Sequence, residues 1–433
     1  MEDKNSNSGF FSKDKDLRNR ILFTILVLSI YRLGTYIPLP GIDSQSLQIL
    51  MESNQKGLLG MFNVFSGGAV KRMAIFALGI MPYISSSIIV QLLTGVSEYF
   101  KNLKNQGEVG RKKITQYTRY GTVLLATIQG YGVSVGLENS SNVVIDPGGF
   151  FKLTTVITLV AGTIFLMWLG EQITQRGIGN GISLIIFSGI VAEIPRALAT
   201  TFELGRTGAL AASTILSIFV LLLGTVAFIV FIERALRKIL INYPKRQMGQ
   251  KIYGGESSHL PLKINTAGVI PAIFASALLL LPITFSNFAT SDSELFLTFS
   301  SLFSQGNPLY MALYASGIIF FSFFYTSIVF NPKETAENLR KHGGYIPGIR
   351  PGERTANYIE EILTRLTTIG ALYLTLVCLM PEFLISRYPI PFYLGGTSVL
   401  IVVIVAMDTV TQIQTRMMSK QYETLIKKTK FGR

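Results

Sequence analysis

Charge is what this sequence has least of: 15% of its 433 residues are charged, against roughly 25% in a soluble domain. It has one cysteine, Cys378, two histidines, His259 and His342, and neither a phosphate-cradling glycine-rich lysine loop nor an HExxH metal motif. One cysteine excludes an intramolecular disulfide, and its place in an apolar run makes it an inert core thiol. The histidines lie in separate polar stretches, so no enzyme activity, metal or cofactor is expected. Carboxylates within apolar runs are nearly absent, which removes the coupling chemistry of ion-driven transporters. Glu171 and Asp408 stand at run ends, where capping or snorkelling is the expected role, and Arg32, inside the first run, is expected to be paired or snorkelling.

What the chain has in abundance is apolar residues, 49% of the total. They gather into ten uncharged or nearly uncharged runs, at 21–37, 73–93, 120–137, 153–170, 177–192, 208–232, 266–290, 308–330, 366–381 and 388–407. About 20 helical residues cross a hydrocarbon core, so each run is a candidate span. The runs at 208–232 and 266–290 are the clearest; those at 177–192 and 366–381 are short enough to be re-entrant or buried. At the N-terminus four acids and five bases precede the first run, and Arg32 and PLPGID follow it in place of a small-residue cleavage site. The first run is therefore read as a retained helix, not a signal or transit peptide.

The formal charge of +14 tests this reading through its placement. Five bases precede the first run, six lie at 101–119, one is Arg176, seven lie at 234–263, six at 333–365 and six from Arg416 onward, which puts 31 of 39 bases on alternate loops. Lys and Arg are retained on the cytoplasmic side, so ten spans with both termini cytoplasmic are expected. The expected organisation is a cytoplasmic segment 1–20, an N-terminal half 21–200, a connection 201–207, a C-terminal half 208–411 with cytoplasmic loops 233–263 and 331–365, and a cytoplasmic tail 412–433. Two halves of five helices each must face opposite ways, which allows an inverted repeat.

Three features invite a functional reading. Residues 57–73, GLLGMFNVFSGGAVKRM, are too short and glycine-rich to cross a bilayer and too apolar for a free loop; pattern alone favours an interfacial helix over a segment blocking a pore. Ile80 with Ile84, and Ile182 with Ile186, form i, i+4 pairs that suit either packing or a hydrophobic constriction. The two long cytoplasmic loops combine bases with Gly and Pro, suiting either topology control or docking of an acidic or ribonucleoprotein partner.

Six ordered blocks narrow these choices: YRLGTYIPLPGID, MFNVFSGGAVKRMAIFALGIMPYISSSIIVQLL, GEQITQRGIGNGISLIIFSGI, NYPKRQMGQKIYGGESSHLPLKINTAGVIPAIFAS, FNPKETAENLRKHGGYIPGIRPGERTANYI and FYLGGTSVLIVVIVAMDTVTQIQTRMMSKQYE. Over most of its length the chain resembles the SecY/Sec61-alpha family. The resemblance implies an all-α integral membrane protein of ten transmembrane helices, in two inverted five-helix halves around a central hourglass pore. It implies a protein-conducting channel of the bacterial cytoplasmic membrane, passing unfolded preproteins across and transmembrane segments sideways into lipid. By motif match the pore ring falls on Ile80, Ile84, Ile182, Ile186, Ile273 and Ile401. The plug falls on 57–73, including Phe62, Asn63, Phe65, Ser66, Gly67 and Gly68, against the interfacial-helix reading.

The same match puts a lateral gate between the second and third spans and the seventh and eighth, at Ser85, Gln129, Val269 and Ile270. Gly268-Val269-Ile270-Pro271 lacks the Asn that some relatives carry two residues before the proline. Lys245, Arg246 and Arg350 match docking positions for the SecA motor or a ribosome. SecE and SecG small subunits, signal sequences, nascent preproteins and the lipid bilayer are the other implied partners; no DNA is expected. The alternative from another class is an inverted-repeat solute transporter, and a third reading is an insertase or scaffold without a pore.

Overall fold

An apolar run in lipid becomes a helix because its backbone polar groups have no water to bond and must satisfy one another. The computed structural model describes residues 15–43, 46–47, 63, 66–138, 143–208, 211–243, 246–248, 251–253, 257–286, 307–387 and 396–430. Its N-terminal half contains α1 (Lys15–Gly34), α2 (Met81–Val96), α3 (Glu98–Asn105), α4 (Glu108–Glu138), α5 (Gly149–Arg176) and α6 (Gly181–Arg206). The C-terminal half begins with α7 (Ala212–Arg234) and the strands β1 (Leu236–Asn242), β2 (Arg246–Met248), β3 (Lys251–Tyr253) and β4 (Ser257–Lys263). It continues with α8 (Ile270–Ser286), α9 (Pro308–Val329), α10 (Pro332–Lys341), α11 (Glu353–Arg387) and α12 (Gly396–Lys430).

Among the described residues a helix stands on every one of the ten runs, and the fold is a helical membrane fold. Six stretches among the described residues are long and apolar enough to cross a membrane: Gly149–Arg176, Gly181–Arg206, Ala212–Arg234, Pro308–Lys341, Glu353–Pro381 and Gly396–Ser419. The two shortest runs, at 177–192 and 366–381, belong to two of these, because polar flanks continue the helix on both. Asn180 caps α6 by accepting from the Ile182 N–H.

Runs that looked clearer are shorter as helices. The run 73–93 yields a helix only from Met81, since the chain before it is stitched to the loop after α1: Leu39 N donates to Met73 O and Ile75 N to Ile37 O. The run 266–290 becomes helical only at Ile270, because Gly268 turns the chain at φ +64° and Asn265 Nδ2 donates to its carbonyl at 3.1 Å. The connection expected at 201–207 is mostly helix: α6 runs through Arg206 and breaks at Gly208, whose φ of +76° ends a helix without steric cost.

Helices pack mainly within their own half: α2 on α4, α4 on α5 and α5 on α6 in the first, and α8 on α9, α9 on α11 and α11 on α12 in the second. Two seams join the halves. On one, α6 meets α7 and α12; on the other, α2 and α4 meet α8. One apolar cluster runs across both.

The described residues of the loop 233–263 form β-ribbon. β1 pairs antiparallel with β4 from Leu236↔Lys263 to Asn242↔Ser257, and β2 with β3 from Arg246↔Tyr253. Alternation in LRKILIN buries Ile239 and Ile241 and exposes Leu240. Ile239 and Leu262 pack with Ile346, Ile359, Leu363 and Leu366, while Asn242 and Tyr345 exchange backbone hydrogen bonds at 2.9 and 3.0 Å. The two long loops are thus one structural unit.

Candidate conduction pathway and gate

All six matched isoleucines belong to one large apolar cluster. Ile80 is the N-cap of α2 and Ile84 lies in its first turn; Ile182 and Ile186 open α6; Ile273 lies on α8 and Ile401 on α12. Five are buried in the apolar cluster that spans the halves, and Ile182 is half-buried against it. The cluster thus draws side chains of one shape from two helices of each half. Each side chain also carries no group able to hydrogen-bond water.

Of the six residues named for the plug, Asn63, Ser66, Gly67 and Gly68 are described; Phe62 and Phe65 lie outside the described residues. Asn63 organises a tight turn, its carbonyl accepting from Gly68 N at 2.8 Å and its Oδ1 from Lys71 N at 2.9 Å. α1 grips this turn from outside. Tyr31 Oη donates to Ser66 O at 3.1 Å, and Arg32 Nη1 donates to Gly67 O at 2.8 Å.

Gly67 sits at φ +66°, where a Cβ would lie 2.7 Å from Arg32 Nη1 and 2.8 Å from the Gly189 Cα of α6. A Cβ on Gly68, at φ +83°, would meet Glu193 Oε1 of α6 and stand 3.1 Å from Arg72 Nη2. Arg72 in turn lies 3.9 Å over the Tyr36 ring and donates to Thr35 O at 3.2 Å. Arg32, expected to be paired or snorkelling, is paired with this turn, and Glu193, which follows the fifth apolar run, lies against Gly68.

A guanidinium hydrogen bond to a carbonyl contributes about 1.5–3 kcal/mol, and ~1.4 kcal/mol is a tenfold change in population. Arg32→Met should therefore release the turn, raising the rate at which a maleimide labels Ser66→Cys by about tenfold. Labelling at the Arg32 rate would show that the grip does not hold the segment.

Of the residues matched to the gate, Ser85 on α2, Gln129 on α4 and Val269 just before α8 are buried, and Ile270 is half-buried. Ser86 Oγ donates to Thr118 O at 2.7 Å, tying α2 to α4. Gln91 Oε1 on α2 and Gln129 Oε1 on α4 are buried with no hydrogen-bond partner. Each such acceptor costs about 1–3 kcal/mol, so both helices that meet α8 carry an unsatisfied polar group. Across the seam between the halves, Gly95 of α2 admits the Phe324 ring of α9, which a Cβ would approach at 3.3 Å.

α8 is anchored behind this seam, where Asn265 Nδ2 donates to Glu233 Oε1 of α7 at 2.6 Å. The two run-end carboxylates expected to cap or snorkel are ion-paired. Glu171 takes a two-pronged pair from Arg119 at 3.0 and 2.6 Å, and Asp408 faces Lys263 at 3.8 Å. The tertiary fold brings those bases to them from other elements.

On the loop unit, Arg350 is exposed. Its carbonyl accepts from Thr355 Oγ1 at 2.9 Å, and Gly348 and Gly352 on either side hold φ of +82° and +110°. Arg246 lies in β2; Lys245 lies outside the described residues.

A sequence profile described as SecY matches residues 74–410. The chain belongs to the SecY family. It is 55% identical over 429 residues to the protein translocase subunit SecY of Rickettsia bellii (strain RML369-C), covering 98% of this chain and 99% of the relative. Its fold is similar to a solved structure described as "The structure of a protein conducting channel", with TM-score 0.64, 18% identity and 93% of each chain covered. It is also similar to Sec61 in a canine ribosome-channel complex, with TM-score 0.61, 16% identity and 93% of each chain covered.

Within this SecY-family fold, several polar residues to which motif matching assigned no site role tie distant parts of the chain together. Tyr31, Arg32, Glu193, Asn265 and Glu233 left a trace in the sequence, as polar groups in or beside apolar runs. The partners of Tyr31 and Arg32 are backbone carbonyls 35 residues along the chain and left none.

Proposed function

We propose that this chain is the protein-conducting channel of a general secretory translocase. The observation that carries the reading is the convergence of six isoleucines from four helices, two in each half, into one apolar cluster. An apolar waist holds back water and ions while yielding to a larger, deformable solute. The turn at Ser66–Gly68 is the stem of a plug beneath that waist. The polar seam between α2, α4 and α8, with α9 beside it, is a lateral gate through which an apolar signal helix or a nascent transmembrane segment reaches lipid. A signal helix opens this gate only by binding the open form better than the closed one.

Both termini face the cytoplasm, all ten helices span, and the membrane is the bacterial inner membrane; the alternating basic loops support this topology. Small SecE and SecG subunits accompany the chain. Arg246, Lys245 and Arg350 dock the SecA motor or a ribosome, since a guanidinium keeps its charge and offers a planar fork to carboxylate or phosphate. The sequence contains no nucleotide-binding motif, so directional energy comes from such a partner.

A photoreactive residue placed at Ile84, and separately at Ile401, tests the conduit. With a preprotein stalled midway through translocation, both should crosslink to the preprotein. Adducts to lipid alone at both positions would place the isoleucines outside the path and overturn the reading.

A further inference from the structure

The loop between α2 and α4 reaches across the seam. α3 is held firmly to both neighbours: Ser97 ends α2 and begins α3, Leu103 is buried, and Gly110 of α4 packs so close to the Leu103 carbonyl that a Cβ has no room. From this fixed base Lys104 extends its ammonium to the other half of the molecule. Lys104 Nζ donates to Ile328 O at 3.0 Å, on the last turn of α9.

That carbonyl is one of the four at a helix C-terminus with no partner inside the helix, and it carries the negative end of the helix dipole. A lysine there is an ordinary helix-end cap in every respect but one: it belongs to the opposite half. Partial withdrawal of the ammonium from water, and then the nearby Arg111, push its pKa below the usual lysine range. Beside this bond the ring of Phe324 sits against Gly95, so polar and apolar contacts share one end of the seam.

We propose that Lys104 is a clasp on the cytoplasmic mouth of the lateral gate, a positioning residue whose hydrogen bond to the Ile328 carbonyl holds α9 against α2 and must break before the gate opens. The inference rests on the reading of this seam as a lateral gate. By stabilising only the closed form, the clasp sets how strongly a signal helix must bind to open the channel. It therefore sets how weak a signal is still refused.

The test uses the full-length chain in lipid nanodiscs with the subunits that purify with it, spin-labelled at the exposed positions Val96→Cys and Val329→Cys in a Cys378→Ala background. In the parent protein, a synthetic signal peptide should lengthen the distance between labels. Lys104→Met keeps the stem and removes the donor; without peptide it should raise the population at long distance about tenfold. Lys104→Arg, which keeps a donor, should restore the parent distribution. Reconstituted vesicles carrying Lys104→Met should also import a preprotein with a shortened apolar signal about tenfold faster than the parent.

If peptide lengthens the distance in the parent but Lys104→Met without peptide matches it, the clasp is wrong and the gate stands. If peptide changes nothing in the parent, the seam is not a gate and the clasp falls with it. If Lys104→Arg behaves as Lys104→Met, the effect is local packing and the proposal is overturned.

Discussion

Replacing Ile84 or Ile182 by glycine should turn the resting protein into an ion leak. Each substitution removes four carbons from the waist, and at ~0.8 kcal/mol per buried CH2-sized group the cost of wetting falls by about 3 kcal/mol. Since ~1.4 kcal/mol is a factor of ten, resting conductance should rise by about tenfold to a hundredfold, the lower figure allowing for collapse of neighbours into the space. Glycine also costs a helix about 1 kcal/mol, so Ile84→Leu, which preserves volume, is the control. It should conduct like the parent. Planar-bilayer recordings decide the matter: unchanged conductance in both glycine variants would mean that the isoleucines are ordinary packing between helices.

Arg350→Glu should abolish motor-driven translocation while leaving the protein folded. The side chain is exposed and its loop is held by other groups: the Thr355 hydroxyl on the Arg350 carbonyl, buried Ile346, and Ile349 against the ribbon cluster. Stability should therefore move by less than about 0.5 kcal/mol. Binding should suffer far more. A two-unit charge reversal replaces an attractive contact with a like-charge one, at a cost of several kcal/mol against an acidic partner. Pull-down of the motor ATPase or of translating ribosomes should drop by about a hundredfold, and translocation with it. Full translocation by a protein carrying Arg350→Glu would remove Arg350 from the docking surface.

The helical nature of the chain was legible because a span must be apolar along its whole length, a property of neighbours in sequence. Motif matching likewise named six isoleucines that the fold draws into one apolar cluster, since each lies in a long ordered block. Helix lengths at α2 and α8 were not legible. Residues 73–80 are as apolar as a span, yet Ile37 and Leu39 claim the backbone of Met73 and Ile75, and nothing near 73–80 in sequence announces that competition. The pairing of 236–242 with 257–263 was not legible for a different reason. Its alternation occupies seven residues on each side of a basic tip, and it shows as a strand pattern only once Ile359, Leu363 and Leu366 of α11 supply the surface that buries one face.

Composition and loop charge by themselves determined that this chain lives in lipid, in repeated apolar helices with basic residues gathered on alternate loops. Hydrocarbon imposes that rule on each segment separately, without regard to its neighbours. Which carboxylate meets which guanidinium, which carbonyl Arg32 or Lys104 holds, and where two halves touch were decided only by the tertiary structure. Those bonds join positions from 35 to 224 residues apart, and their partners are often backbone atoms that every residue possesses.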